Sequence, residues 1–423
     1  MYVGRRSSQV PGILLVLAIP VLFAAGIGLR MWLWPARGLA GDIDQFVAWV
    51  HGIAVNGWQN AYDMNLSFPA VMAWVWGALA WLEPAFKTVT DASDPAVSAL
   101  MKMPASLADI AIAVAVGWWF REKAWAAVAA MGAVLLWPVT WYVSAWWGQY
   151  EPIYVLPAVL ALLSARARRP TLVAVFLALS LMTKPQALPL IVPFAAWFLA
   201  TQGLRGSLKA AVAGTVTCVL VWLPFIPANG PANYLGNLAQ YQDGIFNVLS
   251  LRAWNPWWIV QVLGANGDFV LDSTQVLGPL TFRHVSLIIA GLLALVVFAG
   301  VYRRPSPQGL ALGLAAITLV AFVSLTTMHE RYAYPAFIFL LMAANGRLLA
   351  IAWGAFSVAF AANLVFAAPP PELSLPDART ISLLGSGVIT LVAVIAMLWT
   401  GRADRYEHAD WDQPLHSLWP TNR

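Results

Sequence analysis

Long apolar runs separated by short polar turns recur along the whole chain. Each approaches the ~20 residues that a helix needs to cross about 30 Å of hydrocarbon. The first extends from about Pro11 to Trp34, behind Arg5 and Arg6. It is too long for a signal peptide and lacks a small-residue cleavage site, so it predicts an uncleaved first span. Further runs begin near Phe68, Ala99, Ala124, Tyr150, Thr171, Ala187, Leu208, His284, Leu310, Tyr334, Leu348 and Ile381. The Thr171–Ala200 stretch has room for two short helices, with Lys184-Pro185-Gln186 as the break. Transmembrane barrels need short alternating segments instead of continuous runs. The pattern predicts an all-α, polytopic transmembrane helical bundle of about 12–13 spans.

One membrane domain, residues 1–401, takes up nearly the whole chain, and a short polar tail, 402–423, follows. Two polar segments interrupt the apolar pattern, a first loop at 35–67 and a long loop at 227–283. The long loop is rich in Asn, Gln, Trp and Gly without low-complexity bias, which predicts a folded, functional segment and not a linker. No internal repeat is visible, which weighs against transporter folds built from two related halves.

Basic residues orient the bundle. Arg5/Arg6, Arg166/Arg168/Arg169, Arg205/Lys209, Arg303/Arg304, Arg347 and Arg402/Arg405 fit one side, cytoplasmic by the positive-inside rule. The opposite side receives Trp146–Glu151, Lys184–Gln186, the 227–283 loop, His329–Tyr332 and Ala368–Arg379. If both Phe68–Phe86 and Ala99–Phe120 crossed, Arg121-Glu122-Lys123 would fall outside and every later loop would invert. Either one early segment is therefore re-entrant or interfacial, or the early chain holds a further crossing that the apolar runs do not show.

Composition agrees: 61% of residues are hydrophobic and 10% charged, against roughly 25% charged in soluble domains. Cys218 is the single cysteine, so no intrachain disulfide is possible. The net charge of +5 fits basic cytoplasmic loops, and no Lys/Arg cluster with interleaved aromatics suggests nucleic acid. Many of the 23 tryptophans are expected at the membrane interfaces, although rings in polar loops can also stack on sugars.

Chemistry is sought among polar side chains where a lipid-embedded chain avoids them. Gly41-Asp42-Ile43-Asp44-Gln45 follows the first span. A carboxylate there can serve as general base toward a hydroxyl, or equally as a helix N-cap. As a metal signal, a lone D-x-D is weak. Lys102 and Asp109 share one helix face, either bracketing a polar cavity or forming a structural ion pair. Trp146-Trp147-Gly148-Gln149-Tyr150-Glu151 is a turn between spans, functional or simply interfacial. Lys184 beside Pro185 sits at a helix break suited to an anion. His329-Glu330-Arg331-Tyr332 offers an arginine suited to phosphate, unless Arg331 serves only to pair with Glu330. Asn247–Trp258, with Arg252, supplies groups that pair with sugars or simply fold the loop. His329/Glu330 lack the second histidine of H-E-x-x-H, and neither a Walker sequence nor a serine nucleophile elbow occurs.

The order of these motifs resembles the GT-C superfamily of multispanning glycosyltransferases, which use lipid-phosphate-linked sugars. The likeness runs from the acidic motif after span one through Tyr62, Phe68-Pro69, Lys102-Met103-Pro104 with Asp109, Trp147–Glu151, Thr183-Lys184-Pro185-Gln186 and His329–Tyr332, to about Pro335. It is most similar to the bacterial polyprenyl-phosphate-mannose-dependent enzymes. Phe68-Pro69-Ala70 departs from the Tyr-Pro-Pro frequent in relatives. The resemblance implies a helical first extracytoplasmic loop, with Asp42 as catalytic acid-base residue and Asp44 as the adjacent acidic position. It also implies that Gln149, Glu151, Lys184, Gln186, His329 and Arg331 line the substrate cavity, with Arg252, Lys102 and Asp109 as further candidates.

The implied reaction is a single, inverting displacement from a polyprenyl-phosphate-linked hexose, mannose first, to an extracytoplasmic glycan or glycolipid, at the cell membrane. The transition state resembles that of glycoside hydrolysis, and cationic side chains stabilise the leaving phosphate. No metal and no cofactor are implied; the partners are donor, acceptor and membrane lipid. Two other functions share the motifs: a transporter or flippase of lipid-linked sugars, and a polymer ligase using pyrophosphate-linked donors.

Overall fold

The structure is a computed structural model that describes residues 12–402 apart from 245, 266 and 374–376. Arg5, Arg6, Arg405 and the polar tail beyond residue 402 lie outside the described residues. The elements in chain order are α1 (Gly12–Leu33), α2 (Ala40–Asn56), α3 (Ala70–Leu82), α4 (Pro95–Trp119), α5 (Ala124–Leu136), α6 (Pro138–Trp141), α7 (Glu151–Arg166), α8 (Pro170–Leu181), α9 (Ile191–Trp222) and α10 (Gly230–Gly244). After these come β1 (Ser250–Leu251), α11 (Pro256–Gly264), β2 (Gln275–Leu277), β3 (Leu280–Thr281), α12 (Phe282–Arg303), α13 (Pro307–Ser324), β4 (Met328–His329), α14 (Tyr334–Ala343), α15 (Arg347–Ala367) and α16 (Ala378–Trp399). The chain is an all-α, multi-pass membrane bundle.

Among the described residues, seven helical stretches are long and apolar enough to cross a membrane. Shorter apolar helices accompany them, among them Leu17–Leu33 and Pro170–Leu181. Runs near Ala187 and Leu208 join into one element across a kink at Gly203, whose φ is 63°. Several others, such as α8 with 12 residues, stop short because proline-led turns take over at one end of the bundle.

Helices alternate in direction, and side-chain contacts fix which ends meet. The Arg166 guanidinium, at the end of α7, bonds the Trp119 carbonyl at the end of α4 and lies 2.5 Å from Glu122. Trp119 Nε1 donates to Met342 O at the end of α14 (2.9 Å). Trp222 Nε1 reaches Met182 Sδ (3.2 Å), so α9 returns to the end where α8 finished and its Gly203 break lies at the other. The basic turns therefore gather at one end of the bundle, as the charge pattern predicts.

α2 and α3 resolve the parity problem. The carbonyls of Trp34 and Ala36, just after α1, accept from Ser98 Oγ of α4 at 3.0 Å each. The chain thus leaves by α1 and re-enters by α4 at the same end. Between them α3 has 13 residues, about 20 Å of helix, too short for about 30 Å of hydrocarbon. It stays at that end, with Val71 N bonded to Met182 O (2.8 Å) and Trp74 Nε1 to Val221 O (3.0 Å).

Packing separates helices that face protein from those that face lipid. In α13, 78% of the apolar window is buried, against 22% in α12. Apolar side chains such as Leu292 and Leu295 on α12 are exposed, as hydrocarbon contact requires. A second apolar cluster fills the space under α2 and α3, where Phe46, Trp49, Phe68, Trp76 and Tyr150 pack ring against ring at 5.0–6.1 Å. The 227–283 loop is folded, as expected: besides α10 and α11 it holds β1, which pairs in parallel with β4, and the β2–β3 hairpin.

Candidate active site

The turn after α6 sets the site. Tyr142–Trp147 form a π-helix, a widened coil frequent at functional positions. Gln149 N closes it on Val143 O (2.9 Å). Gly148 ends it in the left-handed region at φ 83°, where a Cβ would stand 3.1 Å from Lys102 Cγ and 3.3 Å from Ile43 Cδ1. Glycine there turns Trp147 and Gln149 toward one side and starts α7 at Glu151. Gly38, at φ 58°, is equally constrained, since a Cβ would fall 2.4 Å from Trp146 O. That contact brings the α1–α2 link, and with it Asp42, against the same turn.

Asp42 lies in the first turn of α2, but it does not cap the helix. The N-cap is Leu39, with no side-chain bond. Instead Asp42 Oδ2 accepts from Gln149 Nε2 (2.7 Å) and Trp147 Nε1 (3.0 Å). Among the described residues, Oδ1 makes no hydrogen bond, and the side chain is half-buried. Two fixed donors on one oxygen and a free second oxygen suit a general base.

A charged cluster adjoins it. Glu151 is fully buried and ion-paired with Lys184, which stands at the break after α8. Arg331 Nε lies 3.5 Å from Glu151 Oε1, and its Nη1 pairs with Glu330 Oε1 at 2.7 Å. The guanidinium also faces the Trp147 ring at 5.3 Å, so one tryptophan separates Asp42 from Arg331. Lys184 Nζ faces the rings of Phe68 (5.6 Å) and Tyr332 (5.5 Å), and Gln186 neighbours Tyr332. His329 Nδ1 is 3.3 Å from Arg331 Nη1.

Burial and neighbouring charge set the protonation of this cluster. Burial pulls the Lys184 ammonium below its usual value, against the pull of Glu151. Burial and then Arg331 hold His329 below its usual range, against the pull of Glu330 and Asp42. For Glu330, burial would raise the value, but Arg331 and His329 outweigh it and hold the carboxylate at about 2. Arg331 is held above its usual value by Glu330, Asp42 and Glu151, against burial. Four buried polar atoms, Glu151 Oε2, Tyr154 Oη, Gln186 Oε1 and Arg331 Nε, lack hydrogen-bond partners. Buried polar groups are nearly always paired, so orphans gathered in one place mark where a ligand or water is received.

The 227–283 loop holds the late motif in place. Leu251 of β1 pairs with His329 of β4, and Arg252 bridges the same residue. Arg252 and Thr327 both adopt left-handed φ values, 60° and 59°. Such strain in non-glycine residues persists where surrounding structure over-determines it, often at functional sites.

Seven of the candidates meet here: Asp42, Gln149, Glu151, Lys184, Gln186, His329 and Arg331. Arg252 reaches the edge through its backbone, while its exposed guanidinium bonds Ala367 O (3.1 Å). Lys102 lies under Gly148 and fastens the Ala36 carbonyl. Asp44 turns away, to Arg37 (2.7 Å) and Ala92 N (2.9 Å), and ties down the first loop. Asp109 also stands apart. It is fully buried and pairs with Arg30 (3.2 Å), Ser144 Oγ (2.5 Å) and the Tyr334 hydroxyl. The Lys102–Asp109 pairing does not form, because each finds a nearer partner.

Trp147 as a donor to Asp42 and Arg30 as the partner of Asp109 were not singled out in the sequence. Arg30 had a signal: a lone cation inside an apolar run needs a partner, and Asp109 is an anion inside another. Trp147 had none beyond its place beside Gln149. Among the described residues, no three His, Cys, Asp or Glu side chains are grouped to hold a metal ion. A polar cleft of about 430 Å³ between the first loop and α10, lined by Gln59, Asp63 and Asn233, is separate from this cluster. The sequence matches no protein-family model and no curated protein.

Proposed function

We propose that this chain is a membrane glycosyltransferase that moves a hexose, mannose first, from a polyprenyl-phosphate donor to an extracytoplasmic glycan or glycolipid. One observation carries the proposal. A carboxylate with one free oxygen, Asp42, stands across a single tryptophan from a buried Arg331–Glu151–Lys184 cluster, at the end of the bundle opposite its basic turns. By the positive-inside rule that end faces away from the cytoplasm.

In the proposed reaction, Asp42 Oδ1 takes the proton of the acceptor hydroxyl while that oxygen bonds the anomeric carbon. The bond from that carbon to the phosphate oxygen breaks, and the polyprenyl phosphate leaves with the electron pair. The sugar passes through an oxocarbenium-like state and inverts. The leaving group needs cations instead of a proton, and Arg331 and Lys184 provide them. Glu151 is less suited to be the base, because Lys184 and Arg331 already engage it and it is fully buried. Glu330 is likewise held by Arg331.

The test is turnover by purified protein in liposomes, with polyprenyl-phosphate mannose or glucose and a panel of glycan and glycolipid acceptors. Formation of glycosylated acceptor with equal release of polyprenyl phosphate supports transfer. Movement of intact lipid-linked sugar without bond cleavage supports a flippase instead. Turnover restricted to diphosphate donors supports the ligase.

A further inference from the structure

The β2–β3 hairpin and the segment before it carry an apolar surface that no part of the chain covers among the described residues. Leu277 is 70% exposed, Phe269 55%, Leu271 50% and Val276 49%. Between Asp272 and Arg283 the sequence holds no charged side chain. Exposed apolar patches on a protein surface mark a contact with lipid or with a partner.

The place of the hairpin selects between them. β3 runs directly into α12 at Phe282, and hydrogen bonds from Phe282 N to Thr274 O (3.1 Å) and Arg283 N to Asp272 O (2.9 Å) tie the hairpin to the start of that helix. α12 is one of the candidate spans, and its exposed apolar face begins at Leu287 and continues through Ile288, Leu292 and Leu295. Five residues of helix separate Phe282 from Leu287, about 7.5 Å along the axis. The hairpin therefore sits at the depth of the headgroup layer, continuous with a surface already facing hydrocarbon. Apolar elements at this depth bury their side chains at the headgroup–acyl boundary.

We infer that the β2–β3 hairpin is a membrane-interface anchor, with Val276, Leu277, Phe269 and Leu271 seated in the leaflet at the site end of the bundle. Its occupant is lipid. Through β1 and Asp272 the same loop joins the ribbon that holds His329, and Thr326 Oγ1 bonds Asp272 Oδ2 at 2.9 Å. The anchor thus ties the candidate site to the membrane surface.

The test uses full-length protein in phosphatidylcholine liposomes, with Cys218→Ala as background and a polarity-sensitive fluorophore on Leu277→Cys. Val276→Cys provides a second labelled site, and Gln59→Cys, in the polar cleft, a water-exposed reference. Emission from Leu277→Cys and Val276→Cys is expected to shift to the blue. It should be quenched by lipids spin-labelled near the headgroup, and several-fold less by iodide than Gln59→Cys. Iodide quenching equal to that of Gln59→Cys overturns the inference. So does protection from both quenchers, with energy transfer between labelled copies, which places a second copy over the hairpin.

Discussion

Asp42 and Gln149, 107 positions apart in the chain, are joined by a hydrogen bond of 2.7 Å from the Gln149 amide to Asp42 Oδ2. With the bond from Trp147 Nε1 it fixes the carboxylate so that Oδ1 points free. The carboxylate proposed as the base is oriented by a turn that also carries Glu151.

Removing one of these donors is expected to loosen the base without removing it. Gln149→Leu should lower transfer by about a hundred-fold, the scale of a misplacement near 1 Å. Trp147→Phe keeps a ring facing Arg331 but loses the indole donor, and should lower transfer less than Trp147→Ala. Single-turnover rates at saturating donor measure both, and rates equal to wild type contradict the orienting role.

The Glu151–Lys184 pair is almost wholly buried, at 0% and 4% exposure. Lys184→Met leaves Glu151 with Arg331 alone, and should cost about 3–5 kcal/mol of stability, the scale for stranding one member of a buried pair. Glu151→Leu with Lys184→Met should recover most of that stability while transfer stays lost. Thermal unfolding in detergent, read beside activity, separates the two effects.

Acid should weaken the fold in two windows. His329 in the folded chain lies below the ordinary value of 6.5, through burial and then Arg331. The unfolded chain thus binds the proton more readily, and stability falls as pH drops below about 6.5. Glu330, held at about 2 against an ordinary 4.5, contributes stability that is lost as pH falls from about 4.5 toward about 2. His329→Gln should flatten the upper window and narrow the lower one, because His329 is one of the groups that hold Glu330 low. Melting temperature measured across pH decides, and an unchanged profile contradicts the lowered value of His329.

Arg30 of α1 and Asp109 of α4 form a buried ion pair. Asp109→Ala should destabilise by about 3–5 kcal/mol, and Tyr334→Phe by about 1 kcal/mol for one lost hydrogen bond. Asp109 also holds Ser144 in the π-helix and Tyr334 beside the late motif, so Asp109→Ala should lower transfer as well. Chemical unfolding in mixed micelles measures the stability terms.

Hydrophobic patterning made the bundle legible, because each span must satisfy its backbone internally and show apolar side chains to lipid. The parity of Arg121–Lys123 left two readings of the early chain, and the short α3, held at one end of the bundle, favours a segment that does not cross. The runs near Ala187 and Leu208 read as two segments, and they do run in opposite directions about Gly203 although one helical element carries both. Seven of the candidate residues converge because each sits at a turn on the same end, and charge order fixed those turns. Asp44 and Asp109 looked equivalent to the others in sequence. Their partners, Arg37 and Arg30, are set by tertiary contacts that no local spacing encodes.

The measurement closest to the central claim is transfer by Asp42→Asn set beside its affinity for a polyprenyl-phosphate sugar. Amide and carboxylate share shape, and Asn keeps an acceptor for Gln149, so donor affinity should match wild type. Transfer should fall by roughly 100- to 10,000-fold, the scale of losing a general base. Retained transfer at wild-type rates would contradict Asp42 as the base and with it the proposed chemistry of this cluster.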